Sequence, residues 1–338
     1  MGKVPAMNTT TSQKPKILVA RAIFPEALAQ LEASFDVQSN QADKVLTPEE
    51  LQKALSGVVG ALVTGSERID AAALSGAKSL KIVANISVGY NNFDVPAISS
   101  AGVMATNTPD VLTNTTADFG FALIMATARR ITESEHWIRS GKWDQWSIVH
   151  NPLGMDLHGS TLGIIGMGRI GQGIAKRALG FGMKVIYHNR SRLPEADEKV
   201  CSATYVSKED LLRTADHVIL VLPYSAENHH TIGTKEIALM KPTATLVNIA
   251  RGGIVDDAAL AQALKAGTIF AAGLDVFEGE PKVHPDLLKL SNVVLAPHIA
   301  SATEKTRRAM VDLAVENLRA AIDGKRPPSL INTEVFKA

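Results

Sequence analysis

Three residues in the C-terminal half carry side chains that suit a single reaction. Arg251 follows the apolar run Leu246-Val247-Asn248-Ile249-Ala250 and precedes Gly252-Gly253. Glu280 closes the segment Asp275-Val276-Phe277-Glu278-Gly279-Glu280. His298 follows Val294-Leu295-Ala296-Pro297. Singly, each has an ordinary structural reading, since a histidine after a strand is most often only a satisfied polar side chain. Together they fit the reduction of a 2-keto acid. A guanidinium would grip the carboxylate. An imidazolium would give the ketone oxygen its proton as hydride arrives. Glu280 is the anion that such an imidazolium requires.

Hydride needs a carrier, and Thr161 to Lys176 has the pattern that holds one. Leu162 to Ile165 is a short apolar run of the kind buried in a parallel sheet. Gly166-Met167-Gly168-Arg169-Ile170-Gly171 follows, and then a helix-like run. Gly166 permits the tight turn out of the strand. Gly168 lets a pyrophosphate approach the backbone, and Gly171 lets helix and strand pack closely. The helix N-terminus offers unpaired N–H groups to the phosphates. Glycines alone are weak evidence; a strand before, a helix after and a second strand at Lys184 to His188 supply the context the motif needs.

The residue that ends the second strand selects the cofactor. A carboxylate about twenty positions past the glycines would bind the adenosine ribose of NAD. Here Asn189-Arg190-Ser191-Arg192 occupies that place, and Asn189 lies 18 positions after Gly171. Two guanidiniums and small polar groups suit a 2′-phosphate, so NADPH is expected over NADH, with NAD the weaker alternative.

The elements that must position these groups alternate strand and helix. Strands are expected at 16–20, 58–63, 81–86, 103–105, 162–165, 184–188, 217–222, 244–249, 269–275 and 293–296. Helical runs are expected at 24–33, 113–130, 256–266 and 303–323. Thr47-Pro48-Glu49-Glu50 and Ser207-Lys208-Glu209-Asp210 read as helix starts. This is an α/β pattern of βαβ units and parallel sheets. Two domains are expected. Residues 15–110 with 302–338 form a flavodoxin-like substrate domain, and 111–301 form the Rossmann dinucleotide domain. The active site is expected in the cleft between them. Ser87-Val88-Gly89-Tyr90-Asn91-Asn92 follows a strand end, where Gly89 could bring backbone N–H groups to a carboxylate, although a plain loop explains it as well.

Composition bounds the alternatives. In 338 residues, 46% are hydrophobic and 20% charged, with a net charge of +1. Nothing in that balance supports nucleic-acid or membrane-surface binding. The single cysteine, Cys201, excludes an intrachain disulfide and a CxxC metal site, and no metal is expected. It suits a reducing compartment, with the cytoplasm as default. The first fifteen residues are polar and are expected to be an unstructured lead-in, not a signal peptide. Trp137, Trp143 and Trp146 fall within ten residues and are expected to be buried, in the core or in a subunit interface.

Four motifs in order carry a family resemblance: 166–171, Asn-Ile-Ala-Arg-Gly-Gly at 248–253, Gly-Leu-Asp-Val-Phe at 273–277 with Glu280-Pro281, and Pro-His-Ile-Ala-Ser at 297–301. The chain resembles the D-isomer-specific 2-hydroxyacid dehydrogenases from about Lys16 to Pro327, and most of all the NADPH-using glyoxylate/hydroxypyruvate and 2-ketogluconate reductases. The resemblance implies that Arg251, Glu280 and His298 are catalytic. It implies that Asp275 holds the nicotinamide carboxamide and that Leu222-Pro223 lies against the adenosine. Arg169, Ile170 and Ala250 join the cofactor contacts. Val88 and Gly89 would meet the substrate carboxylate through their backbone, and Trp146 would reach a partner subunit's site in a homodimer. Relatives of the fold that act as nucleotide-sensing corepressors, or that oxidise phosphite, are the competing expectations.

Overall fold

The computed structural model describes residues 14–337. Most of the expected lead-in, 1–13, therefore lies outside the described residues. The chain forms two compact units. One takes the chain up to Pro109 and from Arg307 onward, and the other spans Asp110–Thr306. The first return thus comes at Arg307, five positions after 302. Thr306 stays with the second unit, where its hydroxyl meets that of Thr115 at 2.6 Å.

The first unit is built on a five-stranded parallel sheet ordered β2-β1-β3-β4-β5, with β1 Lys16–Val19, β2 Asp36–Ser39, β3 Gly60–Val63, β4 Ile82–Asn85 and β5 Met104–Thr106. Its interior strands are apolar and buried on both faces, which requires helices on each side. Ile17, Val19, Leu62 and Ile82 pack with Leu31 of α1 (Pro25–Ser34) and with Ala314 and Leu318 of the last helix, Glu304–Ile322. On the other face Leu18, Val63 and Val83 pack on Leu51 and Leu55 of α2 (Pro48–Leu55). Thr47 and Glu50 close the expected capping box at the start of α2.

The second unit holds a seven-stranded parallel sheet, β12-β11-β10-β9-β6-β7-β8. Its strands are β6 Thr161–Ile165, β7 Lys184–His188, β8 Ala203–Tyr205, β9 His217–Leu220, β10 Thr245–Asn248, β11 Ala271–Leu274 and β12 Val293–Leu295. The order reverses beside β6, so the glycine turn that follows it sits at the topological switch point. Helix α4 (Thr113–Ala128) packs on one face through Phe121, Leu123 and Ile124. Gly120 makes that possible, because a Cβ there would press on Ile249, Ile174 and Ile219.

Three expectations need correction. Helix α4 stops at Ala128, because Arg130 takes φ +52° and a separate helix, Ile131–Arg139, begins. Strands β2 and β8 have no counterpart in the expected list; both are short edge strands, and Asp-Val-Gln-Ser lacks an apolar run. The tryptophans are not core residues of the chain. Trp143 is 48% and Trp146 71% exposed. No helix among the described residues is long and apolar enough to cross a membrane.

Candidate active site

All strands of the second sheet run in parallel, so their carboxyl ends lie along one edge. Apart from Trp146, which precedes β6, the candidate residues of this unit follow the ends of those strands. Asn189, Arg190 and Ser191 follow β7, and the glycine turn follows β6. Leu222 and Pro223 follow β9, Ala250 and Arg251 follow β10, Asp275 and Glu280 follow β11, and His298 follows β12.

At the glycine turn each glycine has a distinct reason. Gly166 takes φ +101°, and a Cβ there would meet Leu222 N at 2.6 Å. The turn therefore lies directly against Leu222. A Cβ on Gly171 would collide with Gly166 O, which is the close helix–strand approach. A Cβ on Gly168 would meet nothing within 4 Å, which is the open space a pyrophosphate would fill. Helix α6 (Arg169–Leu179) starts there with no side-chain cap and no acidic residue in its first turn. Its first N–H groups are left for an anion. The residues present fit a dinucleotide.

The 189–192 segment divides its labour in a way the sequence does not show. Asn189 Oδ1 accepts from Met167 N at 2.6 Å, so this side chain braces the glycine turn. Arg192 is spent: it forms a two-point pair with Glu198, at 2.8 Å on each oxygen, and Glu198 also accepts from the Tyr187 hydroxyl at 2.6 Å. The hydrogen bonds from Arg192 and Tyr187 hold the Glu198 carboxyl down to about 2. Of the two expected guanidiniums, only Arg190 is exposed with no hydrogen-bond or ion-pair partner among the described residues. Arg169 pairs with Asp110 at 2.8 Å on the surface.

The catalytic candidates converge. His298 Nδ1 lies 2.8 Å from Glu280 Oε2, and His298 Nε2 lies 3.3 Å from Arg251 Nη1. A guanidinium can only donate, so this contact assigns the lone pair to Nε2 and the proton to Nδ1 facing Glu280. Backbone packing makes the convergence. Gly252 runs so close to Phe277 O that a Cβ would overlap it, which presses the loop after β10 onto the loop after β11. Phe277 N donates to Glu280 Oε1 at 3.0 Å and aims the other oxygen at the imidazole. His298 itself takes φ +54°, a conformation its neighbours must hold.

Asp275 does the holding. It is fully buried, and its two oxygens accept from Ile299 N at 2.7 Å and Ala300 N at 2.9 Å, while its carbonyl accepts from His298 N. The carboxamide contact implied by the family resemblance would have to share these oxygens. Burial raises the Asp275 carboxyl more than those N–H groups lower it. Burial also pushes Glu280 up, but its hydrogen bond and charge contact with His298, with help from Phe277 N–H and Arg251, bring it below the usual carboxylate range. Burial pulls the Arg251 guanidinium down, against the charge of Glu280.

In the first unit, Val88 and Gly89 follow β4. Asn107 Nδ2 donates to Val88 O at 2.8 Å, and Asn85 Nδ2 donates to Gly89 O at 3.0 Å. Both carbonyls are thereby fixed and the loop is oriented. Asn248 plays the same part at the end of β10: it donates to Arg251 O at 3.2 Å and accepts from Ala250 N at 3.0 Å. Asn85 and Asn248 are buried, and neither was expected as a site residue. Their signal was readable, since each ends a buried strand with an amide, whereas the part-buried Asn107 follows β5 and gave no such signal.

Comparison with known proteins agrees with the four motifs. The family described as D-isomer specific 2-hydroxyacid dehydrogenase, NAD binding domain, matches residues 121–300. The chain belongs to that family. Glyoxylate reductase from Thermococcus gammatolerans is 47% identical over 327 residues, covering 96% of this chain and 98% of the relative. That from Aeropyrum pernix is 48% identical over 332 residues, with the same coverage. Among solved structures, the NADPH-dependent glyoxylate/hydroxypyruvate reductase of Sinorhizobium meliloti, in complex with NADP and malonate, superposes with a TM-score of 0.83. It is 35% identical, covering 96% of this chain and 99% of the other.

Proposed function

We propose that this dehydrogenase reduces a small 2-keto acid, glyoxylate foremost and hydroxypyruvate or 2-ketogluconate with it, to the D-2-hydroxy acid at the expense of NADPH. The observation that carries the reading is the contiguous set Arg251, His298 and Glu280 on the same sheet edge as a glycine turn with room for a pyrophosphate. The nicotinamide, when bound, supplies the hydride. Arg251 holds the substrate carboxylate, and once its guanidinium turns to that anion it no longer donates to His298 Nε2. His298 can then carry a proton at Nε2 and pass it to the carbonyl oxygen. Glu280 fixes the ring at Nδ1 and balances its charge. Asp275 acts through the 298–300 turn, as a positioning residue. The backbone at Val88 and Gly89 gives the carboxylate further N–H contacts. Arg190, with Ser191 beside it, takes the 2′-phosphate; Leu222 and Pro223 pack on the adenosine.

Two further readings belong to this proposal. Domain limits near Pro109 and Thr306 separate the substrate-binding part from the dinucleotide-binding part. The protein works as a homodimer, supported by the exposure of Trp143, Trp146, Ile148 and Val149 along one segment, with Trp146 turned to the partner's substrate. Light scattering on the purified protein tests the dimer.

The deciding experiment is steady-state oxidation of NADPH and of NADH, side by side, with glyoxylate, hydroxypyruvate and 2-ketogluconate. Turnover with at least one acid, and a lower KM for NADPH than for NADH, is expected. Negligible rates on all three would overturn the reading in favour of a nucleotide-sensing binding protein, and turnover of phosphite alone would move it to another branch.

A further inference from the structure

A second histidine cluster stands outside the catalytic set. His229 and His230 follow β9, and Glu278 follows β11, two residues before Glu280. The two imidazoles stack with centroids 3.8 Å apart and planes 23° from parallel. His230 Nε2 lies 3.1 Å from Glu278 Oε2, and His229 Nε2 lies 4.0 Å from Glu278 Oε1. Both Nε2 atoms therefore face one carboxylate. Both Nδ1 atoms face other groups: the Tyr224 hydroxyl is 3.3 Å from that of His229, and Asp256 Oδ2 is 3.9 Å from that of His230. His230 is held at φ +49° in this arrangement.

A plain ion pair would need one histidine. The second ring brings a difficulty, because two stacked imidazolium ions repel. If His229 is neutral and donates Nδ1–H to Tyr224, its Nε2 lone pair points toward a carboxylate oxygen. Two acceptors face each other there, and a cation between them resolves the conflict. We propose that His229 Nε2, His230 Nε2 and the Glu278 carboxylate bind one divalent transition ion of the zinc class.

The chemistry of the set supports this. Two imidazoles and a carboxylate are a three-ligand set that zinc accepts, with the fourth position open. The outer partners on each Nδ1 are the groups that fix the tautomer of a ligating histidine. The three ligand atoms lie within 4.8 Å of one another. Tetrahedral bonds of about 2.0–2.1 Å would draw the widest pair inward by up to about 1.4 Å and tilt the two rings toward a common point. Side chains that are 42%, 35% and 44% exposed can make that adjustment. A cavity of about 260 Å³ adjoins Glu278 and is lined by Asp256, Asp257 and His284, with Lys282 the opposing cation. Asp257 Oδ2 accepts from Glu278 N at 3.0 Å and steadies the loop. A bound ion would clip the segment after β9 to the segment that carries Glu280.

The test uses the full chain after chelator treatment. Zn²⁺ is titrated against a chromophoric competitor, Co²⁺ binding is followed by its visible absorption, and the thermal unfolding midpoint is read with and without Zn²⁺. One equivalent of Zn²⁺ and a raised midpoint are expected. His229→Ala and His230→Ala should each weaken binding at least tenfold, while His136→Ala, remote on the surface, should not. Mg²⁺ and Ca²⁺ should not compete, because imidazole ligands select against them. Equal binding by the parent and both histidine variants, no binding by the parent, or displacement by Mg²⁺ would each overturn the proposal. Circular dichroism of the variants separates loss of ligand from loss of fold.

Discussion

The carboxylates of two histidine–carboxylate pairs lie on the same loop of this enzyme, while their histidines come from different strand ends, and the pairs differ in what the second ring nitrogen sees. In the first, Glu280 holds His298 Nδ1, and Arg251 faces Nε2 at 3.3 Å. In the second, Glu278 faces His230 Nε2, and another imidazole stacks on that ring. Both histidines have positive φ. A guanidinium beside Nε2 leaves that atom for a reacting oxygen once the substrate carboxylate draws the cation away. A second imidazole beside it makes a ligand pair instead. Two residues of spacing along one loop thus separate a proposed proton-transfer site from a proposed ion site, and the neighbour decides which is which.

The sharpest way to break this contrast is His298→Ala. Turnover should fall by about 10²–10⁴-fold, the usual worth of a positioned acid, while NADPH titration by fluorescence shows binding retained. Parent-like turnover would remove the acid assignment. Glu280→Gln should follow, with a loss of about 10–100-fold in kcat, the worth of one charged hydrogen bond. Its stability signature has a defined sign. The folded Glu280 carboxyl lies below the ordinary range. Its contribution is therefore complete above the unfolded value of about 4.3 and is lost as pH falls through the lower folded value. Urea unfolding of the parent and of Glu280→Gln should show a difference that is flat above about pH 5 and shrinks in acid.

Arg251→Ala should raise KM for glyoxylate by about tenfold or more, through loss of a charge-assisted contact. Arg190→Ala should raise KM for NADPH by about tenfold and leave that for NADH nearly unchanged, since it removes the exposed guanidinium that suits a 2′-phosphate. Equal effects on both cofactors would mean that it contacts something common to them. The smallest effect belongs to His230→Ala in chelator-treated protein. Its pair with Glu278 is part-exposed, and removing it should cost at most about 1 kcal/mol of unfolding free energy.

Legibility followed the range of the interactions. The glycine turn could be read because the positive φ of Gly166 and the contact of Gly171 with Gly166 O are local, whereas the contact of Gly166 with Leu222 is not and could not be read. The capping box at Thr47 was readable for the same reason. In the 189–192 segment Arg190 and Arg192 look equivalent in a string, but only Arg192 pairs with Glu198, which also accepts from Tyr187. The edge strands β2 and β8 escaped because a strand with one neighbour can be short and polar. Trp143 and Trp146 were expected to be covered, and in the single chain they are exposed. Residue type sets a preference for burial, while packing sets the outcome.

What the linear order of residues settled is the alternation of strands and helices, the glycine turn, and which polar groups stand at which strand ends. Those are local properties of side-chain size, charge and backbone freedom. What only the folded chain decided is who meets whom. Arg251, Glu280 and His298 come from three different strand ends. They touch because Gly252 lets two loops lie backbone against backbone and because Asp275 ties down the turn behind His298. Such contacts join residues tens of positions apart, and no spacing rule along the chain encodes them.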